Sequence, residues 1–92
     1  MTANKRSKVD IYSAIFDCIC REGGRLGQAS PTRVARHANI PYDRFQKIID
    51  HFVELDMVRR TDNGLLITEK GLKCYEEMRK ANEFLRSMGL SI

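Results

Sequence analysis

Residues 29–58 contain two amphipathic helices separated by a very short turn, and this feature limits the possible folds of the chain more than any other. Ser30 and Pro31 supply a capping hydroxyl and a proline suited to the first turn of a helix. That helix must end by Asn39, because the residue before a proline is pushed out of the helical region, while Pro41 can begin the next helix. The sequence therefore predicts a helix, a turn and a second helix.

The second helix of this pair has one apolar face and one polar face. Its apolar residues recur at the 3.6-residue helical period and are Phe45, Ile48, Ile49, Phe52 and Val53. The opposite face carries Asp43, Arg44, Lys47, Asp50, His51 and Glu54. We expect the first face to join the core and the second to be available for recognition, as in a helix-turn-helix.

A short β-hairpin is predicted directly after this helix. Residues 57–60 and 65–67 are strand-like runs, and between them Asn63-Gly64 tolerates the positive φ of a tight turn. Residues 26–29 are a candidate third strand. A hairpin that follows a recognition-type helix is called a wing.

Two further helices complete the predicted fold. One spans residues 8–22 and ends at Gly23-Gly24. The other starts at Thr68, whose hydroxyl can cap it, and runs to about Ser87 or Met88 before Gly89. The expected fold is mainly α with a small β-wing: a three-helix core, two or three strands and a long C-terminal helix. We expect a flexible basic arm over residues 1–7, a domain over residues 8–67 and a C-terminal helix and tail over residues 68–92.

These segments together resemble the archaeal winged helix-turn-helix transcription regulators, including the small chromatin-associated DNA-binding proteins of that group. The resemblance covers residues 8–88 and is carried by Lys8-Val-Asp-Ile-Tyr, Ala38-Asn-Ile-Pro-Tyr-Asp-Arg-Phe, Leu55-Asp-Met-Val and Ile67-Thr-Glu-Lys-Gly71. The chain departs from the pattern at Pro41, where a capping serine is common, and at Asp56, where a glycine often ends the helix. The resemblance implies binding to double-stranded DNA and dimerisation through the C-terminal helix.

The charge of the chain is distributed in a way that suits a polyanionic partner. The formal net charge is +4, but residues 1–47 hold nine Lys or Arg against four Asp or Glu, whereas residues 48–92 hold seven against eight. Basic side chains near phosphates release condensed counterions and so favour binding. Without a long apolar run or a signal-peptide pattern, the chain is expected to be cytoplasmic and associated with the nucleoid.

No chemistry beyond binding is predicted. The three cysteines, Cys18, Cys20 and Cys74, show no metal-ligand spacing with the two histidines, so we expect buried thiols and no metal. No catalytic motif is present either. We therefore expect no enzymatic activity, no cofactor and no small-molecule ligand.

The N-terminal half of the second helix of the pair is the predicted DNA-reading element. The candidates there are Tyr42, Asp43, Arg44, Gln46, Lys47 and His51. Arg44 could contact guanine, Gln46 adenine and Asp43 a cytosine amine. Gln46 lies toward the flank of the helix, so the alternative for it is a role in packing. For Arg44 and Lys47 the alternative is a solvated face or a pair with Asp43 or Asp50. Carboxylates are repelled by phosphates, which argues against deep insertion of the second half of this helix.

Further DNA contacts are expected from three other segments. Arg33, Arg36 and His37 lie on the helix that crosses the phosphates in this motif, with simple solvation as the alternative. In the wing the candidates are Arg59, Arg60 and Asn63. Since Arg59 and Arg60 point to opposite faces of a strand, at most one should face DNA. Lys5, Arg6 and Lys8 are the candidates of the N-terminal arm.

The C-terminal helix carries an apolar stripe suited to pairing with a second copy. Leu72 and Tyr75 are expected to pack on the first helix. The stripe has heptad-like spacing and consists of Cys74, Met78, Ala81, Leu85 and Met88. We expect antiparallel pairing of two such helices in a homodimer, and the alternative is that the stripe continues the core of one chain or frays.

Two other functions stay open at this point. Winged helices also serve as protein-interaction adaptors, and the acidic residues on the recognition helix would fit that role. RNA binding is a third possibility. Salt dependence separates them, because phosphate-dominated binding weakens steeply with salt.

Overall fold

The computed structural model describes residues 7–89. In chain order it contains α1 (Lys8–Arg21), a 3₁₀ turn (Gly24–Leu26), α2 (Pro31–His37), α3 (Tyr42–Glu54), β1 (Val58–Thr61), β2 (Gly64–Ile67) and α4 (Glu69–Ser87). The predicted fold class is confirmed: a mainly helical domain with one two-stranded antiparallel hairpin. Within residues 7–89, no helix is both long and apolar enough to span a membrane.

Side-chain caps fix the starts of three helices. The Ser7 hydroxyl accepts from the backbone N–H of Asp10 at 3.1 Å, and the Asp10 carboxylate accepts in return from the N–H of Ser7. Ser30 and Thr68 cap α2 and α4 as the sequence predicted. Each cap satisfies a backbone donor that has no partner inside its helix. α3 starts after Pro41 without a side-chain cap.

Two non-glycine residues adopt left-handed backbone conformations just after the C-terminal ends of α2 and α3. Asn39 has a φ of 60° in the turn between α2 and α3, and Asp56 has a φ of 60° just after α3. Short polar side chains tolerate this conformation better than other residues do. Asp56 therefore takes over the role of the glycine that often ends this helix.

The core lies where α1, α2, α3 and the hairpin meet. Phe52 of α3 stacks on Phe16 of α1 with ring centroids 4.6 Å apart, and Tyr12 meets it edge-on at 5.2 Å. The buried stripe of α3 is Phe45, Ile49 and Phe52. The stripe is narrower than the sequence predicted, since Ile48 is only half-buried and Val53 is 38% exposed.

The hairpin is confirmed, but its turn lies one residue earlier than predicted. The register pairs Thr61 with Gly64, so Asp62 and Asn63 form the turn. Gly64 belongs to β2 and has a positive φ of 142°. A side chain there would also collide with the backbone of Ala29.

The predicted third strand is reduced to a single bridge. Ala29 and Leu65 exchange two backbone hydrogen bonds, of 3.3 and 2.7 Å. Residues before Ala29 cannot extend this pairing, because Gly24–Leu26 form a 3₁₀ turn flanked by left-handed Gly23 and Gly27. α2 begins immediately afterwards, at Pro31.

α4 packs on α1 in an antiparallel arrangement. The Tyr75 hydroxyl donates to the Asp17 carboxylate at 2.7 Å, and the Ser13 hydroxyl donates to the Met78 sulfur at 3.4 Å. Leu72, Cys74, Tyr75 and Met78 are partly buried against the core. Two residues of the expected dimer stripe, Cys74 and Met78, thus pack within their own chain, which leaves Ala81, Leu85 and Met88 exposed.

Candidate nucleic-acid interface

The polar face of α3 presents two exposed cations at its N-terminal half. Arg44 and Lys47 are exposed, and within residues 7–89 neither forms an ion pair. The alternative pairs with Asp43 or Asp50 are therefore not formed. Because the buried face of α3 is held in the core, these two cations point away from the domain and are available to an anionic partner.

Arg60 of β1 reaches across to α3. Its guanidinium donates to the Asp50 carboxylate and, at 3.3 Å, to the side-chain oxygen of Gln46. The Gln46 amide in turn donates to the Tyr42 hydroxyl at 2.5 Å. Gln46 is therefore held at both ends of its amide by protein groups, and the predicted adenine contact would require it to exchange partners.

Arg59 lies on the opposite face of β1, as strand geometry predicts. It pairs with the carboxylate of Asp56 at 3.4 Å, and the side chains of both residues are mostly exposed. Asn63 is exposed at the tip of the hairpin. The Thr61 hydroxyl, which no sequence pattern singled out, anchors this tip. Its oxygen lies 2.7 Å from the carbonyl oxygen of Gly27 and 2.9 Å from that of Gly64, and its one proton can be donated to either.

Two of the three candidate residues of α2 are already paired. Glu22, at the end of α1, accepts from Arg33 at 2.9 Å and lies 3.0 Å from Nδ1 of His37. Sequence reasoning missed Glu22, because nothing local shows that the end of α1 faces α2. Arg36 is exposed and, among the described residues, forms no ion pair.

The remaining candidates lie at the periphery. His51 is exposed on α3 with Nδ1 3.7 Å from the Glu54 carboxylate. Lys8 is exposed at the first position of α1. Lys5 and Arg6 lie outside the described residues.

The candidate interface consists of exposed charged and polar side chains of α2, α3 and the wing. In the part of the chain that the structure describes, no three His, Cys, Asp or Glu side chains are grouped to hold a metal ion. Cys20 and Tyr75, whose pKa values are shifted, lie on α1 and α4, outside this interface. Burial raises the pKa of the Cys20 thiol, and burial together with the Asp17 hydrogen bond raises the pKa of Tyr75 to about 12.

Comparison with known families agrees with this architecture. The sequence profile of the winged helix-turn-helix family matches residues 5–86, nearly the whole chain. The protein belongs to the winged helix-turn-helix family. None of the curated proteins compared with the chain matches its sequence. Winged helix-turn-helix domains are typically DNA-binding modules without enzymatic activity, so the family suggests DNA as the partner.

Proposed function

We propose that the protein binds double-stranded DNA as a homodimer and acts as a transcription regulator or chromatin-associated protein. The N-terminal half of α3 enters the major groove, and the wing lies on the adjacent backbone or minor groove. The observation that carries this proposal is the pair of exposed cations, Arg44 and Lys47, on the face of α3 opposite its buried stripe.

The two halves of α3 differ in charge, and this difference sets the depth of insertion. Arg44 and Lys47 lie toward the N-terminus, where a guanidinium or ammonium can contact base edges or phosphates. Glu54 lies at the C-terminal end with a side chain 79% exposed, and a carboxylate there is repelled by phosphates. The helix should thus approach the groove with its N-terminal half foremost.

Backbone contacts come from the elements beside α3. Arg36 on α2 is exposed and, among the described residues, forms no ion pair, so its guanidinium is available to bind a phosphate. Arg33 and His37 would first have to leave Glu22, so we expect smaller contributions from them. In the wing, Arg60 lies on the strand face turned toward α3, whereas Arg59 lies on the opposite face in an exposed pair with Asp56, so we expect Arg60 and not Arg59 to contact the duplex that α3 contacts.

The end of α4 is the proposed dimer contact. Its exposed apolar residues follow the i, i+3, i+4, i+7 spacing of one helical face and are Ala81, Phe84, Leu85 and Met88. A second copy of the chain can bury the same face by two-fold symmetry. Such a dimer would offer two α3 helices to one duplex.

Fluorescence anisotropy with a labelled duplex tests the DNA-binding proposal. Arg44→Ala with Lys47→Ala should weaken binding by about 1 to 3 kcal/mol for each base interaction removed, and should reduce the salt dependence. The matched control is Lys73→Ala with Lys80→Ala, which removes the same charge from exposed positions on α4. Equal affinities for the two double variants would remove α3 from the DNA interface.

The adaptor alternative makes a different prediction. An adaptor would show no duplex binding even at low salt, whereas phosphate-dominated binding strengthens steeply as salt is lowered. An RNA-binding protein would prefer single-stranded or duplex RNA over DNA in direct competition. The same anisotropy assay, run with both competitors, separates the three functions.

A further inference from the structure

Arg60 faces the core side of the hairpin although it is charged. It pairs across the strands with Leu65, and cross-strand partners share one face of an antiparallel sheet. Leu65 is buried, and Val58, two residues before Arg60 on the same face, is buried as well. The Arg60 side chain is therefore directed toward α3 and not away from the domain.

The Arg60 guanidinium contacts two hydrogen-bond acceptors on α3 that lie one helical turn apart. Asp50 and Gln46 both accept from it, and the Gln46 amide is itself bonded to Tyr42. The charged pair stays accessible to solvent, since the side chains of Arg60 and Asp50 are 41% and 69% exposed. A carboxylate and a phosphate present the same kind of oxygen acceptor to the guanidinium fork.

We propose that Asp50 is a positioning residue that sets DNA affinity through Arg60. It holds the guanidinium as a phosphate would, so a duplex must displace Asp50 before this wing arginine contacts the backbone. This inference rests on the proposed DNA-binding function. Asp50 thereby lowers the affinity for any duplex, irrespective of sequence, while leaving Arg44 and Lys47 free.

The exposure of the pair makes such an exchange easy. Ion pairs of this kind contribute little free energy in water, so their competition with a phosphate corresponds to about a two- to fivefold change in affinity. Asp50 also repels phosphates directly, whether or not Arg60 is present. The two effects are separable only when both side chains are changed in turn.

A double-mutant cycle tests the inference with a labelled duplex of random sequence. The proteins are the wild type, Asp50→Ala, Arg60→Ala and the double variant. We expect Asp50→Ala to tighten binding more in the presence of Arg60 than in its absence, by about two- to fivefold. Arg60→Ala should lower the log–log salt slope by about 0.9, the amount expected when one phosphate is no longer neutralised.

Asp43 provides the matched control. It is exposed on the same helix face, and among the described residues it forms no ion pair. Asp43→Ala should change the affinity by the same factor with and without Arg60. Thermal unfolding of every variant checks the fold, and Asp50→Asn replaces Asp50→Ala if the latter unfolds at a lower temperature.

The outcomes distinguish this inference from the function on which it rests. An equal gain from Asp50→Ala in both backgrounds, a loss of affinity, or an unchanged salt slope for Arg60→Ala would overturn the role of Asp50 while DNA binding stands. If neither the wild type nor Asp50→Ala binds duplex at low salt, the DNA-binding proposal itself fails.

Discussion

A methyl group on Gly64 would lie 2.5 Å from the carbonyl oxygen of Ala29, closer than any side chain can approach. β2 passes the connection between α1 and α2 at this point, and Leu65 and Ala29 exchange backbone hydrogen bonds beside it. Glycine is therefore required here by a contact between distant segments. The wing is fixed to the helical core through the same contact.

Replacement of this glycine should loosen the wing. Gly64→Ala combines the collision with Ala29 and a φ of 142°, so we expect a loss of more than about 1 kcal/mol in the free energy of unfolding. The control is Gly89→Ala, which has a φ of 76° but no atom within 4 Å of the added group. Urea unfolding gives the free energy of unfolding of both variants. An equal loss in the two would show that the structure relieves the collision with Ala29 at no cost.

The stacked pair Phe16 and Phe52 should carry much of the core stability. Phe52→Ala removes a ring that is 2% exposed and contacts two aromatic residues, which should cost about 3 kcal/mol or more. Leu26→Ala, at a site 76% exposed and away from the proposed dimer contact, should stay within about 0.5 kcal/mol of the parent. A melting temperature for Phe52→Ala close to that of the wild type would contradict the assigned face of α3.

The Tyr75–Asp17 hydrogen bond should make stability depend on pH in the alkaline range. Burial, and then the Asp17 carboxylate, raise the pKa of Tyr75 from 10 to about 12 in the folded chain. A raised pKa means that the folded state holds the proton more tightly. This contribution is fully present below pH 10 and is lost as the pH rises toward 12.

Tyr75→Phe removes this contribution. The variant should lose about 1 kcal/mol at pH 7, the usual net value of one hydrogen bond. Denaturant unfolding from pH 7 to pH 11 should show the wild-type advantage in the free energy of unfolding shrinking above pH 10. A constant difference between Tyr75→Phe and the wild type over this range would exclude the proposed linkage.

Assembly should depend on the exposed end of α4. Leu85→Glu with Met88→Glu places charges at sites 41% and 60% exposed, so the monomer should keep its fold while the dimer dissociates. Met78 is unsuited to this test, because it packs against α1 and accepts from Ser13. Analytical sedimentation measures the oligomeric state of the wild type and of the double variant. A wild type that is monomeric at high micromolar concentration would refute the dimer proposal.

Local sequence signals predicted most of the fold. Ser30 with Pro31, and Thr68, mark helix starts through bonds to their own neighbours, and both caps are found as predicted. The turn was misplaced because Gly64 is required by Ala29, 35 positions away in the sequence. The Asn-Gly hairpin signal depends only on the two residues themselves, so it cannot show that the backbone of Ala29 requires a glycine at position 64.

The candidate interface was less predictable than the fold. Periodicity placed Arg44 and Lys47 on the exposed face of α3, and the structure has them there. The pairing of Arg60 with Asp50, and of Glu22 with Arg33 and His37, joins elements whose relative placement no local pattern encodes. Which cations remain available was therefore visible only in the folded chain.

The most direct test of DNA binding through α3 and the wing is a titration of the ¹⁵N-labelled protein with a short duplex, followed by amide chemical shifts. We predict that the shifts concentrate in residues 43–51 and 59–63, weaken with added salt, and leave the amides around Tyr75 unchanged. Shifts confined to α4, or no shifts at low salt, would contradict DNA binding through α3 and the wing.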